Sequence, residues 1–124
     1  MLNLNSLMIG SEKPRELAEF YEKVLGKKPD MVEGEWRGFN VGSCFFAVGP
    51  HDKVKGNAKN PERMIFNFET TEVKKEFERI KALGAKVISA PYSPEEAKGD
   101  SSVQIATLAD PDGNYFQLMA PWKS

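Results

Sequence analysis

At 124 residues the chain fits one domain and is short for two independent ones, yet it is long enough to bury a core without disulfides or metals. Hydrophobic residues make up 40%, charged residues 28% and the net charge is -1, so no basic excess exists to displace counterions, and nucleic acid is not expected as a partner. No stretch approaches the ~18 apolar residues of a membrane span, and no basic segment with an apolar core opens the chain, so no membrane contact is expected and the cytoplasm is the expected compartment.

Leu2 to Ile9 reads as a strand, followed by a turn at Gly10–Lys13. Pro14 opens a helix, where its fixed φ and missing N–H cost nothing. Leu17, Phe20, Tyr21, Val24 and Leu25 recur at the spacing of one apolar helical face, and Gly26 stops the helix. Short strands are expected at Lys28–Val32, Glu35–Val41 and Cys44–Val48, with turns at Gly34 and Gly42-Ser43. The single cysteine, Cys44, excludes an internal disulfide and reads as a small buried hydrophobe. Pro50 to Pro61 is a polar loop that holds the only histidine, His51, read as a surface residue.

The pattern then restarts. Arg63–Glu69 reads as a strand. Thr71 can cap a second helix, with Glu72 in its first turn. Val73, Phe77, Ile80 and Leu83 mark its buried face, and Gly84 ends it at a second Leu-Gly pair. Ala85–Ala90 is a strand and Pro91–Ser101 a loop. Val103–Ala109 and Asn114–Met119 form a hairpin around Asp110-Pro111-Asp112-Gly113, since Pro and Gly supply the dihedrals of a tight turn. The chain thus repeats one order: strand, helix ending in Leu-Gly, then three strands. Neither unit, about 1–60 or about 61–124, buries enough surface at that length to stand alone, so a single domain over 1–124 is expected.

This double order resembles the vicinal oxygen chelate superfamily, the fold of glyoxalases, bleomycin-resistance proteins and extradiol dioxygenases. Phe20-Tyr21-Glu22-Lys23-Val24-Leu25-Gly26 resembles the end of that family's first helix. Phe66 to Val73 resembles the start of its second, and Asp110 to Leu118 its C-terminal hairpin. The resemblance implies an α+β fold. Two βαβββ units form a curved mixed β-sheet half-barrel with the helices on the outer face and the ligand on the concave one. It also implies a homodimer, the commonest closed assembly.

Metal-dependent members of that superfamily place a His or Glu on each of four strands, where a divalent cation polarises substrate oxygens. The matching positions here are Ser6 (or its neighbour Asn5), Ala47, Ile65 and Gln117. None supplies an anionic oxygen or an imidazole, so no metal and no cofactor is expected. Strand alternation from these positions assigns Ser6, Met8, Phe45, Arg63, Ile65, Asn67, Tyr115, Gln117 and Met119 to the ligand cavity, with Leu4 beside them. Met64, Phe66, Phe68, Phe116 and Leu118 are expected to pack behind. Trp36 and Trp122 are candidates to cap a groove or to cover a sheet edge, and Tyr92 is a weaker candidate.

The expected function is binding or sequestering of a small organic molecule in an apolar, lightly polar cavity of a dimer. Arg63 would favour an anion over the cationic ligand of bleomycin-resistance proteins. The alternative is a metal-dependent lyase, isomerase or dioxygenase with diverged ligands, or a metal-free catalyst using Tyr115, Arg63 or Glu69. A third reading is an interaction module whose cavity is filled by its own side chains. No pair of carboxylates or Glu–His spacing demands acid–base catalysis, so catalysis is not the favoured reading.

Overall fold

The computed structural model describes residues 1–94 and 103–121. The chain forms two compact units, Met1–Asn57 and Ala58–Ser124, each a βαβββ motif of the α+β class. The division falls three residues before the boundary expected from the repeat, inside the same polar loop.

In the first unit β1 (Ser6–Ser11) leads into α1 (Pro14–Leu25), then β2 (Met31–Glu33), β3 (Trp36–Val41) and β4 (Cys44–Pro50). The strand order is β1-β4-β3-β2, with β1 and β4 parallel and the other pairs antiparallel. Pro14 occupies the first turn of α1 and Gly26 closes it at φ 66°, a left-handed conformation that favours glycine, with its N–H donating to the Glu22 carbonyl. Leu17, Ala18, Tyr21 and Val24 are buried on one helical face. That face packs on one side of the sheet, where the Tyr21 and Phe46 rings meet edge to face at 4.9 Å. Phe39 and Val48 complete this core with no exposed surface.

In the second unit β5 (Phe66–Glu69) leads into α2 (Val73–Ala82), β6 (Lys86–Tyr92), β7 (Ile105–Ala109) and β8 (Tyr115–Met119). The order β5-β8-β7-β6 repeats the first sheet, again with its helix-flanking strand parallel to the last strand. Val73, Phe77 and Ile80 are buried on α2. Phe66, Phe68 and Phe116 pack ring to ring at 5.8 to 6.2 Å. Phe116, Leu108 and Ala106 are fully buried and Leu118 nearly so, which gives this sheet one apolar face.

Several expectations about ends are corrected. The first strand begins at Ser6, not Leu2, and Leu2 and Leu4 are exposed, so Leu4 joins no sheet face. The Asn5 carbonyl accepts the Phe45 N–H, and the pairing register with β4 starts one residue later, so the residues before Asn5 have no ladder partner. The strand expected from Arg63 begins at Phe66. Arg63 sits in a turn closed by its N–H on the Asn60 carbonyl, and Met64 is 72% exposed rather than packed. At α2 the N-cap position is Glu72, without a side-chain cap bond. The hydroxyl that accepts the Glu72 N–H belongs to Thr70, not Thr71.

Candidate functional site

Each sheet buries one face under its own helix. The chemistry open to the chain lies on the opposite faces. On the first sheet, alternation puts Phe46 and Val48 toward α1 and Phe45, Ala47 and Gly49 on the other side. Pairing of Ser6 with Phe45, Met8 with Ala47 and Gly38 with Ala47 brings Ser6, Met8 and Gly38 to that same face. Ser6 is exposed, Met8 is 66% exposed and Phe45 is half-buried.

Glycines shape this face. A side-chain carbon at Gly49 would overlap the Trp36 indole, and one at Gly38 would overlap the Phe45 ring. Neither glycine has positive φ, so both are explained by space and not by dihedral freedom. Trp36 and Phe45 therefore lie down against the backbone of neighbouring strands, each in the notch that a missing side chain leaves. At Gly10 the same device admits the loop residues His51 and Val54, whose side chains lie 2.9 and 3.3 Å from where a Cβ would stand. Trp36 thus covers no edge. It shares a face with Phe45, Ala47 and Met8. Its cross-strand glycine carried the signal, but only a known register reveals it. Trp122 lies outside the described residues.

On the second sheet, Phe66, Phe68, Phe116 and Leu118 take the helix side. Asn67, Tyr115, Gln117 and Met119 take the open one. Asn67 pairs with Gln117 and Gln117 with Thr107, so these three polar residues form one row across β5, β8 and β7. Gln117 Nε2 donates to Thr107 Oγ1 at 3.0 Å. Met119 and Ile105 flank the row on one side, and Tyr115 and Ala109 on the other. Thr107 was not singled out by the sequence because its pairing with Gln117 follows only once the hydrogen bonds that close the β7–β8 turn are known. Ile65 stands just before β5, half-buried, and exposed Arg63 lies in the preceding turn. Strand alternation therefore does not carry Arg63 to this face.

The Asp110–Asn114 motif has a structural task. The Asp110 carboxylate is 5% exposed and accepts the N–H groups of Asp112 and Asn114, both at 2.9 Å, while Asn114 Nδ2 donates to it at 3.0 Å. A carboxylate committed to backbone donors in this way holds the hairpin turn between β7 and β8, and so fixes the register that places Gln117 beside Thr107.

A divalent cation needs several nitrogen or charged oxygen donors in reach. Strands β1, β4, β5 and β8 carry no histidine, and their only carboxylate is Glu69, at the end of β5. Among the described residues no three of His, Cys, Asp and Glu gather into a group able to hold a metal. Ser6, Ala47, Ile65 and Gln117 offer one hydroxyl and one carboxamide, a donor set that does not fit such an ion.

The fold and these faces define a glyoxalase-type α+β protein. The Glyoxalase-like domain model matches residues 6–119, and the chain belongs to that family, within the vicinal oxygen chelate superfamily. Solved structures agree on the fold. A glyoxalase-related enzyme from Fulvimarina pelagi is similar at TM-score 0.75 and 17% identity, over 98% of this chain and 89% of that one. A glyoxalase/bleomycin resistance protein/dioxygenase family enzyme from Burkholderia phytofirmans PsJN is similar at TM-score 0.74 and 22% identity, over 96% and 98%. The fosfomycin resistance protein FosX from Listeria monocytogenes is similar at TM-score 0.66 and 17% identity, over 98% and 93%. No curated protein matches the chain. No helix among the described residues is long and apolar enough to cross a membrane.

Proposed function

We propose that this glyoxalase-like protein binds a small organic molecule on its open sheet faces, without a divalent metal, and does so as a homodimer in the cytoplasm. The observation that carries the reading is the first sheet's open face, where Trp36 and Phe45 lie in glycine notches beside Met8 and Ala47. Flat aromatic surface held against backbone is pre-organised, so a ligand stacking on it orders little further side-chain freedom. Ser6 adds a hydroxyl to that face, and the second sheet's own open face offers Asn67, Tyr115, Gln117 and Met119 as a separate set of proposed contacts. Ile65 stands at the start of β5 beside them. Arg63 lies in the exposed turn before β5 and is not among these contacts. The family's metal-dependent reaction classes remain the second reading, and the donor set on β1, β4, β5 and β8 argues against it.

The test is a fluorescence titration in a Trp122→Phe background, where Trp36 is the sole tryptophan. Compounds from a library of small ring-containing molecules that raise the melting temperature are expected to change Trp36 emission saturably. Stabilising compounds that leave Trp36 unchanged would move the site off this face. For the dimer, sedimentation equilibrium is expected at twice the 13.9 kDa chain mass, and a monomer at micromolar concentration would refute that part.

A further inference from the structure

We infer that the open face of the second sheet recognises the hydrogen-bonding edge of an uncharged cyclic amide, imide or ureide, through the row Asn67–Gln117–Thr107. This rests on the small-molecule reading above and names the ligand chemistry for one of its faces.

The row is uncharged and rich in both donors and acceptors. Gln117 gives one amide hydrogen to Thr107 Oγ1. Its second hydrogen and its carbonyl Oε1 have no protein partner among the described residues, and neither does either end of the Asn67 carboxamide. Thr107 accepts that one bond, which leaves its own hydroxyl hydrogen to be given away. Thr107 is only 6% exposed, Gln117 is half-buried and Asn67 exposed, so solvent access falls along the row toward the hydroxyl. A hydroxyl hydrogen that far from solvent gains most from an acceptor brought by a ligand. If the Gln117 amide is turned over, Thr107 donates to Oε1 instead, and the amide still shows solvent one unused donor group.

Neighbouring strands stand about 4.8 Å apart, so the row presents donor, acceptor and donor along a line across two strand spacings. An imide or ureide edge alternates carbonyl and N–H over about one strand spacing, so it meets Gln117 at its centre and reaches the Thr107 hydroxyl and the Asn67 carboxamide where those side chains lean toward Gln117. The flanking residues are Met119 and Ile105 on one side and Tyr115 and Ala109 on the other. They suit the flat apolar faces of such a ring. A carboxylate or a cation would lose its hydration against uncharged partners. By register, the charged residues of these flanking rows are Glu69, paired with Met119, and Lys86, paired with Ala109, and neither belongs to the central row.

The test follows the side-chain amide signals of Asn67 and Gln117 by ¹⁵N NMR on the full chain. The probes are hydantoin and glutarimide, with 1,3-dimethylhydantoin, which has lost its N–H donors, and malonate for comparison. Hydantoin or glutarimide is expected to shift both amide pairs saturably, and dimethylhydantoin and malonate are not. Thr107→Val should weaken hydantoin about three- to tenfold, the worth of one neutral hydrogen bond, while Thr107→Ser restores it. Malonate shifting these amides in place of the imides would overturn the ligand chemistry and leave the small-molecule reading standing. No shift from any probe would overturn the inference, and it would leave that reading to the Trp36 titration. Equal hydantoin affinity in Thr107→Val would overturn the role of the hydroxyl.

Discussion

Gly49 lies within β4 and is not among the glycines of positive φ, and in such a place alanine normally stabilises by about 0.4–1 kcal/mol through the unfolded chain. Here the sign reverses, because the new methyl would occupy the space of the Trp36 indole. Crowding of this kind costs about 1–3 kcal/mol. Gly49→Ala is therefore expected to lower the urea midpoint and, in the Trp122→Phe background, to shift Trp36 emission to the red as the ring is lifted toward water. A stabilised variant with unchanged emission would show that the indole does not rest on Gly49. Neither glycine–aromatic pair was legible in the sequence, because Trp36 and Gly49, like Gly38 and Phe45, meet only across strands. The polar row was half legible. Asn67 and Gln117 follow from alternation, whereas Thr107 needs the register that the Asp110 turn sets.

Both helices lie where the apolar spacing places them, although Leu83, expected on the buried face of α2, is 40% exposed. Their apolar spacing is local, and both end near a glycine of positive φ, Gly26 at 66° and Gly84 at 98°. Strand ends were read less well for a physical reason. A strand extends only as far as its neighbour offers ladder partners, and β8 begins at Tyr115 with Phe116 pairing Phe66. By the same register Arg63 and Met64 fall opposite Gly113 and Asn114, before β8 begins, so they have no ladder partner there, and Arg63 left the expected site on that account. Interior facing was read correctly where pairing exists. Phe116 has no exposed surface and touches both Phe66 and Phe68. Phe116→Ala is expected to cost about 3–5 kcal/mol in chemical denaturation. A neutral result would mean that β8 faces the other way, and Gln117 with it.

At the scale of the molecule, two units of one topology each cover a single sheet face with a helix, and the family membership accounts for that plan. Within that plan each sheet keeps one open face, and the two carry different side chains. Aromatic rings in glycine notches occupy one, and a carboxamide–hydroxyl row occupies the other. Order and spacing announced the plan in the sequence, since the Leu-Gly helix ends and the Asp110 turn are local signals. That Ser6, Ala47, Ile65 and Gln117 offer neither an anionic oxygen nor an imidazole is legible in the sequence, because it depends on residue identity. The ligand is not, since it depends on cross-strand neighbours.

The central claim is that the folded chain selects a small organic molecule and not a divalent cation. Its most direct test is a thermal-melt series on protein stripped with chelator, then titrated separately with Ni, Zn, Mn, Fe(II) and Mg and with a library of uncharged ring compounds. Selective binding to the folded state must raise the melting temperature by mass action. The account predicts no saturable rise with any metal and a saturable rise with at least one organic compound. A saturable rise with one metal, lost on Gln117→Ala, would contradict it and return the chain to the metal-dependent reaction classes of its family.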